Sequence, residues 1–168
     1  IPDMLGVNSS TGLELIRKSG YPSHKTTRIE ALRYFHLNGK YARLKKPTAT
    51  SDRVLLMVAG IIPEEVRFQI QLLKQADEKG GLGKYREIWI KPHPGLIIEN
   101  ILKELKPNFK FALVTSPIIE LIEQSDVVYC SNSTGTSLEA AWLGVPLIIL
   151  AAKDSMNLNP LFGFPSQT

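Results

Sequence analysis

The amino-acid sequence predicts an α/β fold, a Rossmann-like doubly wound parallel sheet of about five or more strands. Three observations support this class. Short, apolar, β-rich segments alternate with segments of helical period from Arg53 to Leu150. Proline and glycine stand at most of the borders between them. The apolar segments are continuous, as expected of strands that are buried on both faces.

Five segments are predicted to be strands because they are short, apolar and rich in β-branched residues. They are Arg53–Ala59, Glu87–Lys91, Lys110–Thr115, Asp126–Cys130 and Val145–Leu150. The segments between them have apolar residues at helical spacing, which predicts helices over 63–78, 97–105, 117–124 and 134–143. Strands joined by helices in this way pair in parallel.

Two helix starts are marked by proline. Pro63 stands where the first helix would begin, and Glu64 and Glu65 suit the positive end of its dipole. Ser116 followed by Pro117 predicts an N-cap and a first helical residue.

The first 46 residues lack this alternation. We expect them to be the tail of a preceding domain with the interdomain connection, or a packed N-terminal extension. A helix is expected over Gly12–Ser19, and Thr27–Tyr34 is expected to run from strand into helix. Residues 47–52 are polar and predict a linker, so the Rossmann-like domain would take residues 53–168, ending in a loop over Lys153–Thr168.

The composition is that of an ordinary globular chain. Of the 168 residues, 43% are hydrophobic and 21% are charged, which excludes global disorder and fibrous classes. The longest apolar run, Val54 to Ile62, is too short to cross a bilayer. The single cysteine, Cys130, excludes an intramolecular disulfide and suits a reducing, cytoplasmic compartment. The net charge of +4 favours an anionic partner, although a soluble domain with a slight basic excess would have the same charge.

Several common motifs are absent from the sequence. Without G-x-G-x-x-G after the first strand or a G-x-x-x-x-G-K-[ST] loop, a nicotinamide dehydrogenase and the usual P-loop NTPase are not expected. There is no G-x-S-x-G elbow of a hydrolase. With three histidines and no H-E-x-x-H, a catalytic zinc site is not expected. No nucleic-acid-binding signature is present, and we expect neither a nucleic-acid partner nor a cofactor.

Ligands of open α/β sheets bind beyond the carboxyl ends of the strands. The residues that follow the predicted strands are small, hydroxylated or basic. They are Gly60, then Lys91 and His93, then Thr115 and Ser116, then Ser131 to Ser137, and finally Lys153. The sequence therefore predicts a polar binding edge.

The run from Ser131 to Ser137 is the strongest local feature. Its hydroxyl groups and the N–H groups of a helix start can bind a phosphate, and Gly135 lets the backbone approach a ligand closely. The alternative is ordinary capping, because Thr136 and Glu139 fit the S/T-x-x-E capping box. We favour phosphate binding because capping needs one hydroxyl and the run contains five.

The segment from Lys91 to Pro94 is the second feature. Two prolines fix the backbone around His93, and both Lys91 and the imidazole can donate hydrogen bonds to phosphate oxygens. The alternative is a histidine that only makes structural hydrogen bonds. Trp142 is expected in the core, and Cys130 is expected to be a small buried residue with no nucleophilic role.

The order of these motifs resembles the C-terminal half of GT-B glycosyltransferases. A strand is followed by Lys91-Pro92-His93-Pro94, a later strand by the run Ser131–Ser137, and that run by the stretch Glu139–Pro146, which has the pattern E-A-x-x-x-G-x-P. The resemblance covers about residues 53–160. It is strongest to bacterial surface-polysaccharide enzymes, which are capsule, O-antigen, sialyl- and polysialyltransferases and related glycerophosphotransferases.

The resemblance implies transfer of a sugar from a nucleotide sugar to a saccharide acceptor in polysaccharide biosynthesis, without a bound metal. His93 would stabilise the leaving phosphate as the catalytic residue of this half. The resemblance implies Lys91, Ser133, Thr134 and Thr136 for phosphate, Glu139 for ribose or the sugar, and Thr115 and Ser116 for the nucleobase. The further substrate-binding residues that we expect at the same edge are Gly60, Ser131, Gly135 and Ser137.

In this family the acceptor site and the general base usually lie on a separate N-terminal domain. We therefore expect this chain to be the donor-binding half, to bind a nucleotide sugar and to be inactive alone. A cytoplasmic location, with peripheral association at the inner face of the plasma membrane, is also expected. Three alternatives remain, namely a sugar-phosphate isomerase-type domain, a GT-B-type nucleotide-sugar epimerase and a non-catalytic scaffold.

Overall fold

The computed structural model describes residues 3–30, 32–37, 52–151 and 157–161. The chain divides into two compact units, Ile1–Gly39 and Lys40–Thr168. All of the predicted linker except Asp52 lies outside the described residues, as do Lys153 and most of the predicted C-terminal loop. The predicted domain boundary and the assignment of the first residues to a preceding domain therefore stay predictions.

The first unit contains two short parallel strands. Strand β1 (Leu5–Val7) pairs with β2 (Thr26–Arg28), and helix α1 (Ser10–Lys18) lies between them in the chain. Two 3-10 helices, Ser23–Lys25 and Leu32–Leu37, flank β2. The helix and the change from strand to helix were predicted. Strand β1 was not, because three residues are too few to show a period.

The second unit is a five-stranded parallel sheet with helices between successive strands. Its strands are β3 (Arg53–Val58), β4 (Tyr85–Lys91), β5 (Ala112–Leu113), β6 (Val127–Cys130) and β7 (Leu147–Ile149). Its helices are α2 (Pro63–Glu78), α3 (Ile98–Leu105), α4 (Ile118–Gln124) and α5 (Thr136–Trp142). The spatial order is β5-β4-β3-β6-β7. The predicted α/β class and parallel sheet are confirmed.

The elements differ from prediction mainly at their borders. Helix α2 begins at Pro63, as predicted. Helix α4 begins at Ile118 with Pro117 as its N-cap, so the predicted N-cap at Ser116 is wrong by one residue. The edge strands β5 and β7 are shorter than their apolar segments. An edge strand has a partner on one side only, and the apolar pattern extends past the residues that pair.

The sheet separates two apolar layers. Leu55 and Met57 of β3 face the layer under α2 and α3, and Leu56 and Val58 face the layer under α4 and α5. Successive side chains of a strand point to opposite faces, and here both faces are covered. This explains the continuous apolar pattern of the central strand.

The Trp142 side chain is not part of either apolar layer. Its side chain is 50% exposed, so the expectation that it lies in the core is wrong. The buried residues of α5 are Thr136, Ser137 and Ala140. Trp142 lies at the end of the helix and outside this face.

Among the described residues, no helix is both long and apolar enough to cross a membrane.

Gln69 is a fully buried polar residue on the core face of α2. Its Nε2 donates a hydrogen bond to the Val58 carbonyl at 3.4 Å. Its Oε1 has no hydrogen-bond partner within the described part of the chain. A buried acceptor without a partner costs about 1–3 kcal/mol.

We expect Gln69→Met to raise the free energy of unfolding by about 1 kcal/mol, because methionine has a similar volume and no polar atom to desolvate. The measurement is urea-induced unfolding followed by circular dichroism. The control is Gln71→Met, the same change at an exposed position of α2, which should alter stability by less than about 0.5 kcal/mol. A loss of stability in Gln69→Met would contradict the expected net cost of burying this amide.

Candidate functional site

The strand order reverses between β3 and β6. From β3 the chain proceeds to β4 and β5 on one side, whereas β6 and β7 lie on the other side. The carboxyl ends of such a strand pair open a crevice in which α/β sheets bind ligands. Gly60 follows β3 and Ser131 follows β6, and their strands end in register because Val58 pairs with Cys130. Two predicted site residues therefore meet at this crevice.

Gly60 lies directly against serine side chains. A Cβ atom built on Gly60 would overlap the hydroxyl oxygens of both Ser131 and Ser133. Only glycine lets the backbone come this close. The loops after β3 and β6 are therefore in contact.

The same two hydroxyls bind a buried carboxylate. Ser131 and Ser133 donate hydrogen bonds to Glu65 Oε2, the second of them at 2.9 Å. Glu65 lies in the first turn of α2 and is 6% exposed. Sequence analysis placed Glu65 correctly in the helix but missed its role. No periodic pattern links it to serines 66 and 68 residues later.

Hydrogen bonds of their own hydroxyl groups hold residues 134–137 in a turn. We refer to residues 131–137 as the serine/threonine turn. Thr134 Oγ1 donates to Thr136 Oγ1 at 3.3 Å and accepts the Thr136 N–H at 3.4 Å. The Ser137 hydroxyl donates to the Thr134 carbonyl at 3.3 Å. Helix α5 begins at Thr136 with Gly135 as its N-cap. The capping box would need Thr136 itself at the N-cap, so that alternative does not describe the structure.

Lys91, at the end of β4, reaches the loop after β5. Its Nζ donates to the carbonyl oxygens of Thr115 at 2.7 Å and Ser116 at 2.9 Å. A lysine ammonium has three donors, and these bonds use two of them. The structure thus brings three predicted site residues together. It also gives Lys91 a structural role beside the predicted phosphate contact.

His93 is half-buried in the loop after β4. Its Nδ1 accepts the Gly95 N–H at 3.0 Å. In a neutral imidazole whose Nδ1 is an acceptor, the proton is on Nε2, which is then a hydrogen-bond donor. A Cβ atom built on Gly95 would lie 3.5 Å from the Ile61 side chain. The loops after β3 and β4 are therefore also adjacent.

Cys130 is fully buried at the end of β6, as the sequence predicts. Burial, and to a smaller extent the charge of Glu139 on α5, raise the pKa of the Cys130 thiol to about 12. A thiol with this pKa is protonated at neutral pH and is a poor nucleophile.

Nowhere in the described ranges do three or more His, Cys, Asp or Glu residues group so that they could hold a metal ion.

An apolar cavity of about 470 Å³ lies elsewhere on the same unit, between α2 and strands β3, β6 and β7. Phe68, Leu72, Ile148 and Leu150 are among its lining residues. It contains none of the predicted site residues. Ligand sites combine an apolar wall with a few convergent polar groups, and those groups lie at the carboxyl edge of the sheet. We therefore place the candidate site at the crevice between β3 and β6.

No protein-family model and no curated protein sequence matches the chain. Among solved structures, the chain aligns with the pneumococcal O-GlcNAc transferase GtfA, determined in complex with UDP and GlcNAc. The TM-score is 0.56 and the sequence identity 14%, over 88% of this chain and 30% of that one. This chain shares the Rossmann-like fold of the aligned part of that structure. The predicted fold is confirmed by this similarity.

A looser similarity is to Anabaena Alr3699/HepE, determined in complex with UDP and glucose. The TM-score is 0.49 and the identity 14%, over 88% of this chain and 44% of that one. The chain therefore spans less than half the length of each of these two solved chains.

We expect Gly60→Ala to lower the free energy of unfolding by about 1–3 kcal/mol, because the new methyl group must push both serine hydroxyls away from Glu65. The control is Gly95→Ala, whose Cβ would make contacts of 3.4 Å and longer. Chemical denaturation of both variants is the measurement. Equal stabilities would contradict the close approach of the two loops.

Cys130 should also make stability depend on pH. Its folded pKa is about 12, against 9.0 for an unperturbed thiol. Between these values the unfolded chain loses the thiol proton and the folded chain keeps it. Stability should therefore fall as pH rises through this range, by up to about 1.4 kcal/mol per pH unit.

The measurement is the free energy of unfolding of wild type and of Cys130→Ala at about pH 8 and about pH 10. Because the variant lacks the titrating thiol, we expect a larger fall between the two pH values in wild type. A thiol-reactive disulfide reagent should modify Cys130 only in denaturant. Rapid reaction in the native chain would contradict the buried position.

Proposed function

We propose that the second unit, Lys40–Thr168, is the nucleotide-sugar-binding part of a glycosyltransferase. The observation that carries the proposal is the packing of Gly60 against the serine/threonine turn at the point where the strand order reverses. Crevices of this kind bind nucleotides in Rossmann-like folds. The aligned pneumococcal transferase was determined with UDP and GlcNAc, and this similarity of fold supports the same class of ligand here.

The donor phosphates are proposed to lie between the loop after β4 and the serine/threonine turn. His93 Nε2 supplies one donor, and the ammonium of Lys91 has one donor beyond its two carbonyl bonds. The hydroxyls of Thr134 and Thr136 are joined by one internal hydrogen bond of 3.3 Å, and a phosphate oxygen can replace it. Donors placed in advance stabilise the negative charge that develops on a leaving nucleotide.

The nucleoside is proposed to lie further along the same edge. Lys91 holds the backbone carbonyls of Thr115 and Ser116, and a loop fixed in this way can present a constant surface to a nucleobase. Glu139, in the first turn of α5, is half-buried and can accept hydrogen bonds from ribose or sugar hydroxyls.

The proposed reaction is glycosyl transfer. A bond forms between an acceptor hydroxyl and the anomeric carbon, and the bond from that carbon to the phosphate oxygen breaks. The acceptor's proton passes to a general base, and the nucleotide leaves with the bonding electron pair. We propose that the base and the acceptor site belong to a further N-terminal domain, and that the acceptor is a bacterial surface polysaccharide assembled at the inner face of the plasma membrane.

The first test is a thermal-shift screen with UDP, CDP, GDP and CMP, with glucose and fructose phosphates as controls. A ligand at 100 times its dissociation constant stabilises a protein by about 2.7 kcal/mol. We expect stabilisation by a nucleotide, and a weakening of its binding by about 1–3 kcal/mol in His93→Ala and in Thr134→Ala.

The matched control is His24→Ala, which removes an exposed histidine of the first unit and should leave nucleotide affinity unchanged. Stabilisation by sugar phosphates alone would favour an isomerase-type domain. Unchanged nucleotide affinity in both site variants would refute the assignment of the site.

A further inference from the structure

The hydroxyl groups of Ser131 and Ser133 both donate their hydrogen bond to Glu65. A carboxylate is an acceptor only, whereas a serine hydroxyl has one donor and two acceptor sites. The two hydroxyl oxygens lie 3.1 Å apart, and Ser133 Oγ lies 2.9 Å from Glu65 Oε2. A hydrogen bond to a charged acceptor is stronger than one to a neutral hydroxyl. Each serine therefore gives its one proton to Glu65.

The Oγ atoms of Ser131 and Ser133 differ in how many further hydrogen bonds they can accept. Ser131 Oγ also accepts the Ser133 N–H at 3.3 Å, and Ser131 is 1% exposed. Ser133 is half-buried, and its oxygen, which lies against Gly60, keeps acceptor capacity because its bond to Glu65 uses only its proton. The oxygens of an ionised diphosphate are acceptors and have no proton to offer Ser133. A sugar hydroxyl does have such a proton.

We propose that Glu65 is a positioning residue, and that it makes Ser133 an acceptor for a sugar hydroxyl instead of a donor to phosphate. This inference rests on the proposed function and names the part of the nucleotide sugar that Ser133 receives, which is its ribose or its transferred sugar. The phosphates are then bound by Thr134 and Thr136 together with Lys91 and His93. Ser133 remains a binding residue, but for another chemical group than the one the motif resemblance implies.

The first experiment needs no ligand. Amide hydrogen exchange across residues 131–137 is measured by NMR in Glu65→Gln, which keeps the shape of the side chain and removes its charge. We expect exchange at Ser133 and Thr134 to accelerate about tenfold, since the turn loses its charged acceptor. The control is Glu64→Gln in the same helical turn, where the side chain is 77% exposed. Unchanged exchange in Glu65→Gln would overturn the positioning role.

The second experiment separates the phosphate from the sugar. NMR titrations with pyrophosphate, UDP and UDP-GlcNAc compare Ser133→Ala with Thr134→Ala. In Ser133→Ala we expect the dissociation constant for pyrophosphate to stay within about twofold and that for UDP-GlcNAc to rise about tenfold. In Thr134→Ala both should rise. If the substitution only loosened the turn, the dissociation constants for all three ligands would rise by the same factor. The ratio between the dissociation constants for UDP-GlcNAc and pyrophosphate therefore reports the acceptor role.

Two results would overturn the acceptor role. One is that Ser133→Ala weakens pyrophosphate binding as much as Thr134→Ala does. The other is that it leaves UDP-GlcNAc binding unchanged. The response to UDP then distinguishes ribose from the transferred sugar as the partner. If no nucleotide binds the wild-type chain, the proposed function fails and the acceptor role with it, whereas hydrogen exchange still decides whether Glu65 positions the turn.

Discussion

Parallel backbone pairing of β3 on both of its sides is the constraint on which the candidate site depends. Val58, the last residue of β3, pairs with Lys91 of β4 and with Cys130 of β6. Three strands therefore end at the same level, and the loops that follow them start side by side. The backbone places Gly60, the His93 loop and the serine/threonine turn together, and side-chain contacts then fix their details.

The buried carboxylate of Glu65 is the most demanding of these details. A buried charge is costly unless hydrogen bonds replace its hydration. Ser131 and Ser133 supply two such bonds, and the first turn of α2 offers a favourable dipole. Because its partners come from a distant part of the sequence, this one residue connects the start of α2 to the loop after β6. The connection makes the turn part of the domain's framework.

Sequence patterns predicted the second unit well because its signals are local. Continuous apolar segments mark β3 and β6, and Pro63 marks the first residue of α2. The positions of Gly60, His93 and the serine/threonine run followed from the rule that loops after parallel strands meet at one edge. Contacts between distant residues have no local signal. The bonds from Ser131 and Ser133 to Glu65, and those from Lys91 to two carbonyls, depend on packing that periodicity does not encode. So does the exposure of Trp142.

The lengths of the outer strands bear on how the sheet behaves in a crowded solution. In the described part of the chain, the five-stranded sheet ends at β5, with two residues, and at β7, with three. The apolar strand β3 lies at the centre of the sheet, with both of its edges paired. A neighbouring molecule meets few free N–H and C=O groups at such short edges, so it has little template on which to add a strand. The brevity of β5 and β7 therefore limits edge-to-edge pairing at these two strands, while the most apolar strand, β3, stays enclosed.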